Sequence, residues 1–272
     1  MIDIIFADCL SILDRLEDNK FNLVYIDPPF NSNKIQKRGS ISYSDKFGKS
    51  AGSKQEQMNY DDFIKTVSSK LYHKLTANGS FFIQADYREI HYIKVWLDGI
   101  FGRDSFMNEI IWSYDYGGRS KRKWATKHDT ILWYAKDPKD YTFNYDNIDR
   151  IPYAAPSLCG AEKAKKGKCP TDVWQLTIVH TNGKEKTGYP TQKPKKILDR
   201  IISVHSNPDD TVLDVFAGSG TTGERAELLN RNSVLVDNNF QAIEIMKERF
   251  HKQNLPHIIY ENLLTISPYL HY

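Results

Sequence analysis

Two short stretches hold residue types that could do chemistry. Asp27-Pro28-Pro29-Phe30 puts a carboxylate at the end of an apolar run, fixes the backbone behind it with two prolines, and follows with an aromatic ring. An acceptor and a π-face in fixed geometry are what a planar base bearing an amino group needs. Taken alone, the tetrapeptide reads equally well as a tight turn with a buried Phe. The second stretch, Phe216-Ala217-Gly218-Ser219-Gly220-Thr221-Thr222-Gly223, fits G-x-G-x-x-G between an apolar run and a helical one. Glycines there permit positive φ and let a ligand approach the backbone. Asp237 closes the next apolar run, where a carboxylate accepts from ribose hydroxyls; capping the following helix is the plainer alternative. Asp214, inside the strand ahead of the glycines, implies a ligand amine or a backbone group that needs an acceptor. No Gly-Lys-Ser/Thr follows, so a phosphate-cradling NTPase loop is not supported. On this turn alone a nicotinamide dehydrogenase stays open, although such folds usually begin with the glycine unit, which here lies near the C-terminus.

The elements that must position these residues are readable as periodicities. Phe21–Ile26, Ser80–Gln84, Ile110–Tyr114, Thr130–Tyr134, Val212–Phe216 and Ser233–Asp237 read as strands. Helical spacing marks Asp61–Leu75, ended by Asn78-Gly79, then Tyr87–Leu97, Lys195–His205, Thr222–Leu229 and Ala242–Phe250. The polar stretch from Asn31 to Asn59 is aperiodic and reads as a functional or disordered loop. Asp137 to Tyr189 is irregular and reads as an insertion. Strands alternating with helices predict an α/β fold with a doubly wound, mostly parallel sheet.

Composition bounds the possibilities. At about 150 residues per domain, 272 residues make one large domain or two small ones. No apolar run approaches the roughly 20 residues of a membrane span, and Met1–Asp8 lacks the basic region of a signal peptide. Three cysteines without a Cys-x-x-Cys predict reduced thiols and a cytoplasmic location. The eight histidines show no ligand spacing, so no metal is expected. With 37 Lys and Arg against 34 Asp and Glu, the net charge of +3 by itself suggests no nucleic-acid partner. The charge is clustered, however, in Lys34–Lys54, where Asp45 is the lone acid, in Arg119–Lys127 and in Lys163–Lys196. Such stretches are solvated surface or a phosphate-binding face.

Taken together, these motifs resemble the β class of DNA amino-methyltransferases, circularly permuted S-adenosylmethionine enzymes that modify adenine N6 or cytosine N4. Asp27-Pro28-Pro29-Phe30-Asn31 is similar to their catalytic Asp-Pro-Pro-Tyr/Phe motif, and Val212–Thr222 to their cofactor loop. Tyr189-Pro190-Thr191-Gln192-Lys193-Pro194 resembles the segment at the methionine moiety. Ala7-Asp8-Cys9-Leu10 resembles the segment near the cofactor adenine, with Ala7 for the usual Gly. Lys127–Leu132 resembles a His-Glu-Thr/Tyr-Ile-Leu segment, with Asp129 for Glu.

The resemblance implies a Rossmann-like methyltransferase fold made of 1–136 and 189–272, with a target-recognition insertion at 137–188. It implies methyl transfer to an exocyclic amine by Asp27, Pro28, Pro29 and Phe30. Cofactor contacts would come from Asp8, Thr191, Gln192, Lys193, Asp214, Phe216, Gly218, Gly220, Thr221 and Asp237. DNA contacts would come from Lys34, Lys37, Arg38, Arg119, Lys121, Arg122, Lys123, Lys165 and Lys166. Asp at the first motif position favours adenine N6, since members with Ser-Pro-Pro-Tyr tend to act on cytosine N4. Cytosine N4, an RNA or protein amide substrate, and a catalytically silent DNA-binding subunit stand as alternatives. As partners the resemblance implies double-stranded DNA, a second copy of the chain and, in a restriction–modification rather than an orphan setting, a cognate restriction endonuclease.

Overall fold

A computed structural model describes residues 1–32, 34–38, 41–45, 47, 58–180, 182–183, 185–260 and 269–270. Lys46, Lys49, Lys54 and Lys184 of the basic stretches lie outside the described residues, as does the side chain of Arg38. Strand β1 (Ile2–Phe6) is followed by α1 (Cys9–Leu13), β2 (Phe21–Ile26), β3 (Lys34–Arg38), β4 (Ile41–Asp45), α2 (Tyr60–Lys74) and β5 (Leu75–Ala85). Then come α3 (Ile90–Phe101), β6 (Phe106–Ser113), β7 (His128–Ala135), α4 (Ala161–Lys166) and β8 (Val173–Gln175). The chain continues through α5 (Lys195–His205), β9 (Thr211–Asp214), α6 (Thr221–Leu228), β10 (Asn232–Asp237), α7 (Phe240–Lys252) and β11 (His257–Tyr260).

Among the described residues, nine strands form one sheet in the order β11-β1-β10-β9-β2-β5-β7-β6-β8, and β3 pairs with β4 in a separate hairpin. All pairings in the large sheet are parallel except those of β7, which runs against both β5 and β6. The central strands are apolar at nearly every position because both faces are covered. Val24, Ile26, Phe81 and Ile83 pack with residues of α1, α2 and α3. Their neighbours Leu23, Tyr25 and Phe82 face Ile197, Leu198, Ile201 and Ile202 of α5.

Connectivity decides where a ligand fits. From β2 the chain passes through α2 to β5 on one side, and from β9 through α6 to β10 on the other. Neighbouring parallel strands β2 and β9 therefore part company at their carboxyl ends, the crevice where open α/β sheets bind ligands.

Several boundaries differ from the sequence reading. Helix α2 stops at Lys74, and β5 begins at once with Leu75, instead of after Asn78-Gly79. Fully buried Leu75 pairs with Phe21, and its carbonyl accepts from Lys136 Nζ at 2.6 Å, so strand contacts claim the residue. The aperiodic stretch after Asn31 contains the β3–β4 hairpin. The irregular segment 137–188 contributes β8, which adds to the sheet edge beside β6. Among the described residues, no helix is long and apolar enough to cross a membrane.

Candidate active site

Asp27 stands one residue past β2, on the crevice between β2 and β9. Its Oδ2 accepts a hydrogen bond from Lys193 Nζ, while Oδ1 is shut off from solvent and has no hydrogen-bond partner among the described residues. Burial pushes the carboxyl of Asp27 above its ordinary range, and the Lys193 ammonium opposes that rise. Asp129 and Asp45 add to it through like-charge repulsion. Lys193 is itself buried, its Nζ 5.2 Å from the centre of the Phe30 ring. Asn31 behind the ring takes φ +53° and donates from Nδ2 to Glu89 Oε1 at 3.1 Å, fixing the exit of the turn.

Lys193 is held by the segment before α5. Gln192 braces it: Oε1 accepts from the Thr187 N–H and hydroxyl, each at 2.9 Å, and Nε2 donates to the Glu185 carbonyl at 2.7 Å. Tyr189 stacks on Tyr43 of the hairpin with ring centres 6.3 Å apart, and the Tyr43 hydroxyl lies 3.2 Å from Thr191 Oγ1.

The glycine turn is tied to two carboxylates. Asp214 Oδ1 accepts the Phe216 N–H at 3.0 Å and Oδ2 accepts the Thr222 hydroxyl at 2.5 Å, so the acceptor serves the turn's own groups. Burial outweighs these bonds and pushes Asp214 up to about 7. Asp237 accepts the Gly218 N–H at 2.8 Å through Oδ2 and the Asn239 N–H at 2.9 Å through Oδ1. Burial likewise raises it to about 6. Each oxygen keeps a second lone pair for a ligand hydroxyl. Gly218 and Gly220 take φ +51° and +72°. A Cβ on Gly220 would sit 2.7 Å from Met246 Cγ, so this glycine lets α6 approach α7.

These groups line one cleft of about 480 Å³, within the roughly 300–1,000 Å³ of small-molecule sites. Of the residues singled out from sequence, it brings together Asp27, Pro28, Pro29, Phe30, Thr191, Gln192, Lys193, Asp214, Phe216, Gly218, Thr221 and Asp237. Gly220 and Asp8 are not on the lining. The Asp8 carboxylate caps α1, accepting from the N–H groups of Leu10 (3.0 Å) and Ser11 (3.2 Å). Sequence reasoning missed Phe6, Tyr43, Asp45, Arg88 and Phe240, all on the cleft. Asp45 is buried, accepts the Ser32 N–H at 3.1 Å and leaves Oδ1 without a partner among the described residues. Its standing as the lone acid of a basic stretch was the available signal.

Around this cleft the basic residues separate into groups. Arg119, Lys121, Arg122 and Lys123 are exposed on the β6–β7 loop. Lys123 Nζ lies 5.8 Å from the Tyr87 ring, next to the cleft residue Arg88, which puts the loop at the rim. Of the aromatics interleaved there, Trp124 is 97% exposed whereas Trp112 is buried and donates to the Leu176 carbonyl at 2.8 Å. Lys34 and Lys37 are exposed on β3. Lys165 and Lys166 are exposed on α4, and none of the described residues of 137–188 lines the cleft.

Comparison with known proteins gives the arrangement a family. A family model described as DNA methylase, of the N6/N4 type, matches residues 21–248. The type II methyltransferase M.HpaI of Haemophilus parainfluenzae is 32% identical over 90% of this chain and 73% of its own. The DNA adenine methyltransferase YhdJ of Escherichia coli K12 is 29% identical over 89% of this chain and 80% of its own. Two solved structures share the fold. M1.HpyAVI in complex with SAM has a TM-score of 0.62 at 23% identity, covering 92% of this chain and 99% of that one. The cytosine-N4-specific PvuII DNA methyltransferase has a TM-score of 0.61 at 18% identity, covering 97% and 95%. The chain is a member of the N6/N4 DNA methylase family.

Proposed function

We propose that the protein is a site-specific DNA methyltransferase that transfers the methyl group of S-adenosylmethionine to N6 of an adenine extruded from duplex DNA. The observation that carries this reading is the solvent-excluded Oδ1 of Asp27, which has no partner among the described residues, in the cleft that also holds the Phe30 ring and the glycine turn. An adenine amino group is a poor nucleophile because its lone pair is delocalised into the ring. Asp27 and the Pro28 carbonyl would each accept one of its N–H bonds, favouring a pyramidal nitrogen with the lone pair free to attack. The carboxylate also stabilises the positive charge that develops on that nitrogen. Phe30 would stack on the base, which cannot be reached within the duplex.

The cleft fits S-adenosylmethionine, which when bound supplies an electrophilic methyl group on a sulfonium. Asp237 has lone pairs for the ribose hydroxyls, and Phe6 and Phe240 offer apolar walls beside it. Lys193 and Thr191 are the groups for the methionine carboxylate. Gly218, Phe216, Thr221, Asp214 and Gln192 shape the wall, while Gly220 and Asp8 lie off the lining and would act through the glycine turn and the Asp8-capped start of α1. The target-base turn preceding the glycine turn along the chain supports the permuted order. Phosphate contacts fall to the rim loop Arg119–Lys123, to Lys34, Lys37 and Arg38, and to Lys165 and Lys166 of segment 137–188, our candidate for target readout. The type II names of relatives support a restriction–modification setting, with a cognate endonuclease and a second copy of the chain as further partners.

Cytosine N4 carries an amine that the same carboxylate would accept, and the family includes such enzymes. Incubating the protein with S-adenosylmethionine and duplex DNA, then identifying methylated nucleosides by mass spectrometry, separates the readings. N6-methyladenine is expected. N4-methylcytosine would overturn the adenine assignment, and methylation of RNA alone would overturn the DNA substrate.

A further inference from the structure

Lys193 touches both halves of the site at once. Its ammonium donates to Asp27 Oδ2 and lies over the Phe30 ring, the two contacts the proposed function gives to the target amine and its base. Among the described residues, Asp27 is its hydrogen-bonding and ionic partner. The side chains are 10% and 18% exposed, so water gives little relief to either charge once the pair separates. The backbone that carries Lys193 is braced by Gln192 and by Tyr43, so any adjustment falls to the long, rotatable lysine side chain.

We infer that the Lys193 ammonium competes with the target amine for Asp27 and Phe30, and that the cofactor's carboxylate draws it away, coupling the two binding events. This rests on the proposed function and adds an energetic link between its two ligands. Base alone would displace Lys193 and leave a buried ammonium unpaired. Cofactor alone would take Lys193 and leave the Asp27 carboxylate unpaired. With both present, the ammonium meets the methionine carboxylate and Asp27 meets the amine. Each ligand therefore tightens binding of the other, reciprocally. The exchange also removes a positive charge from beside a nitrogen that must itself become positive during transfer. Lys193 is a positioning residue here: it decides when Asp27 is free to hold the amine.

The test measures extrusion instead of turnover. Single-molecule sequencing of DNA from an expressing host identifies the site, and a fluorescent base analogue is placed at its target position. Duplex affinity and extrusion are then read with and without sinefungin, a non-transferable analogue that retains the amino-acid carboxylate. For the wild-type chain, sinefungin should tighten binding of the extruded base at least about fivefold, the lower end of ordinary coupling free energies. In Lys193→Met and Lys193→Gln the coupling should fall below about twofold, with extrusion retained, and Lys193→Arg should restore it. Thermal melts verify that each variant is folded. Full coupling in Lys193→Met would overturn the inference while leaving the methyltransferase reading intact. A wild-type chain that neither binds sinefungin nor methylates DNA would overturn the reading beneath it.

Discussion

Replacing Gly220 by alanine should destabilise the protein for two separable reasons. Gly220 sits at φ +72°, where a Cβ costs roughly 1–2 kcal/mol. The added methyl would lie 2.7 Å from Met246 Cγ and 2.8 Å from Phe250 Cζ, both fully buried. Overpacking of that kind costs roughly 1–3 kcal/mol. The stiffer unfolded chain returns roughly 0.4–1 kcal/mol, leaving a net loss of roughly 2–4 kcal/mol. At about 2–4 °C per kcal/mol for a chain near this size, Tm should fall by roughly 5–15 °C in scanning calorimetry. Gly99 provides the control. It lies within α3, and beyond its own helix backbone and chain neighbours a Cβ there would meet none of the described atoms within 4 Å, so Gly99→Ala should stabilise by up to about 1 kcal/mol. A double-mutant cycle isolates the clash: Gly220→Ala with Met246→Ala should cost less than the sum of the two, by about 1 kcal/mol or more. A Gly220→Ala Tm within about 2 °C of wild type, or strict additivity with Met246→Ala, would rule out the strain and the clash at this turn.

Further outcomes follow from the site. Gln84 joins Tyr25 to Asp129, accepting from the Tyr25 hydroxyl at 2.8 Å and donating to Asp129 Oδ2 at 2.9 Å. Gln84→Leu should therefore cost roughly 2–5 kcal/mol in denaturant unfolding, at roughly 1–3 kcal/mol per stranded group; adding Tyr25→Phe should worsen it little, and a large additional loss would contradict the network. Asp237 titrates near 6 and must be ionised to accept two hydroxyls. Calorimetric affinity for sinefungin should thus weaken as pH falls through about 6, and that step should vanish in Asp237→Asn, whereas a wild type without it would remove Asp237 from the ribose. The same raised pKa values mean that Asp214 and Asp237 hold protons more tightly folded than unfolded. Their contribution to stability is therefore full below about pH 4 and is lost as pH rises towards 7. Neutralising Arg119, Lys121, Arg122 and Lys123 together should lower the slope of log affinity against log salt by about 0.9 for each phosphate that these side chains pair with; an unchanged slope in anisotropy titrations would take the rim loop off the DNA.

What could be read in advance depended on local signals. The run Phe21–Ile26 ending in Asp-Pro-Pro and the strand–glycine–helix unit around Gly218 declare themselves, because proline and glycine punctuate apolar runs locally. The β3–β4 hairpin has no such signature. Its strands are polar, and it is anchored by contacts remote in sequence: the Ser42 N–H donates to Gln241 Oε1, and Asn239 Nδ2 donates to the Ser42 carbonyl, each at 3.1 Å. The three residues of β8 are likewise strand only because β6 offers an edge. The contact between Asp27 and Lys193 spans 166 positions. Each residue was recognisable as functional, one for the base and one for the cofactor, but their pairing exists only once β2 and the segment before α5 meet across the sheet.

The proposed function turns on Asp27 holding the amine that receives the methyl group. Single-turnover transfer of tritiated methyl from S-adenosylmethionine to duplex DNA, in the wild type and in Asp27→Ala, tests it most directly when sinefungin affinity is measured on the same preparations. Asp27→Ala should lower the transfer rate by at least about two to three orders of magnitude, with sinefungin bound as tightly as in the wild type or more so, since Lys193 is released. Undiminished transfer by Asp27→Ala would contradict it.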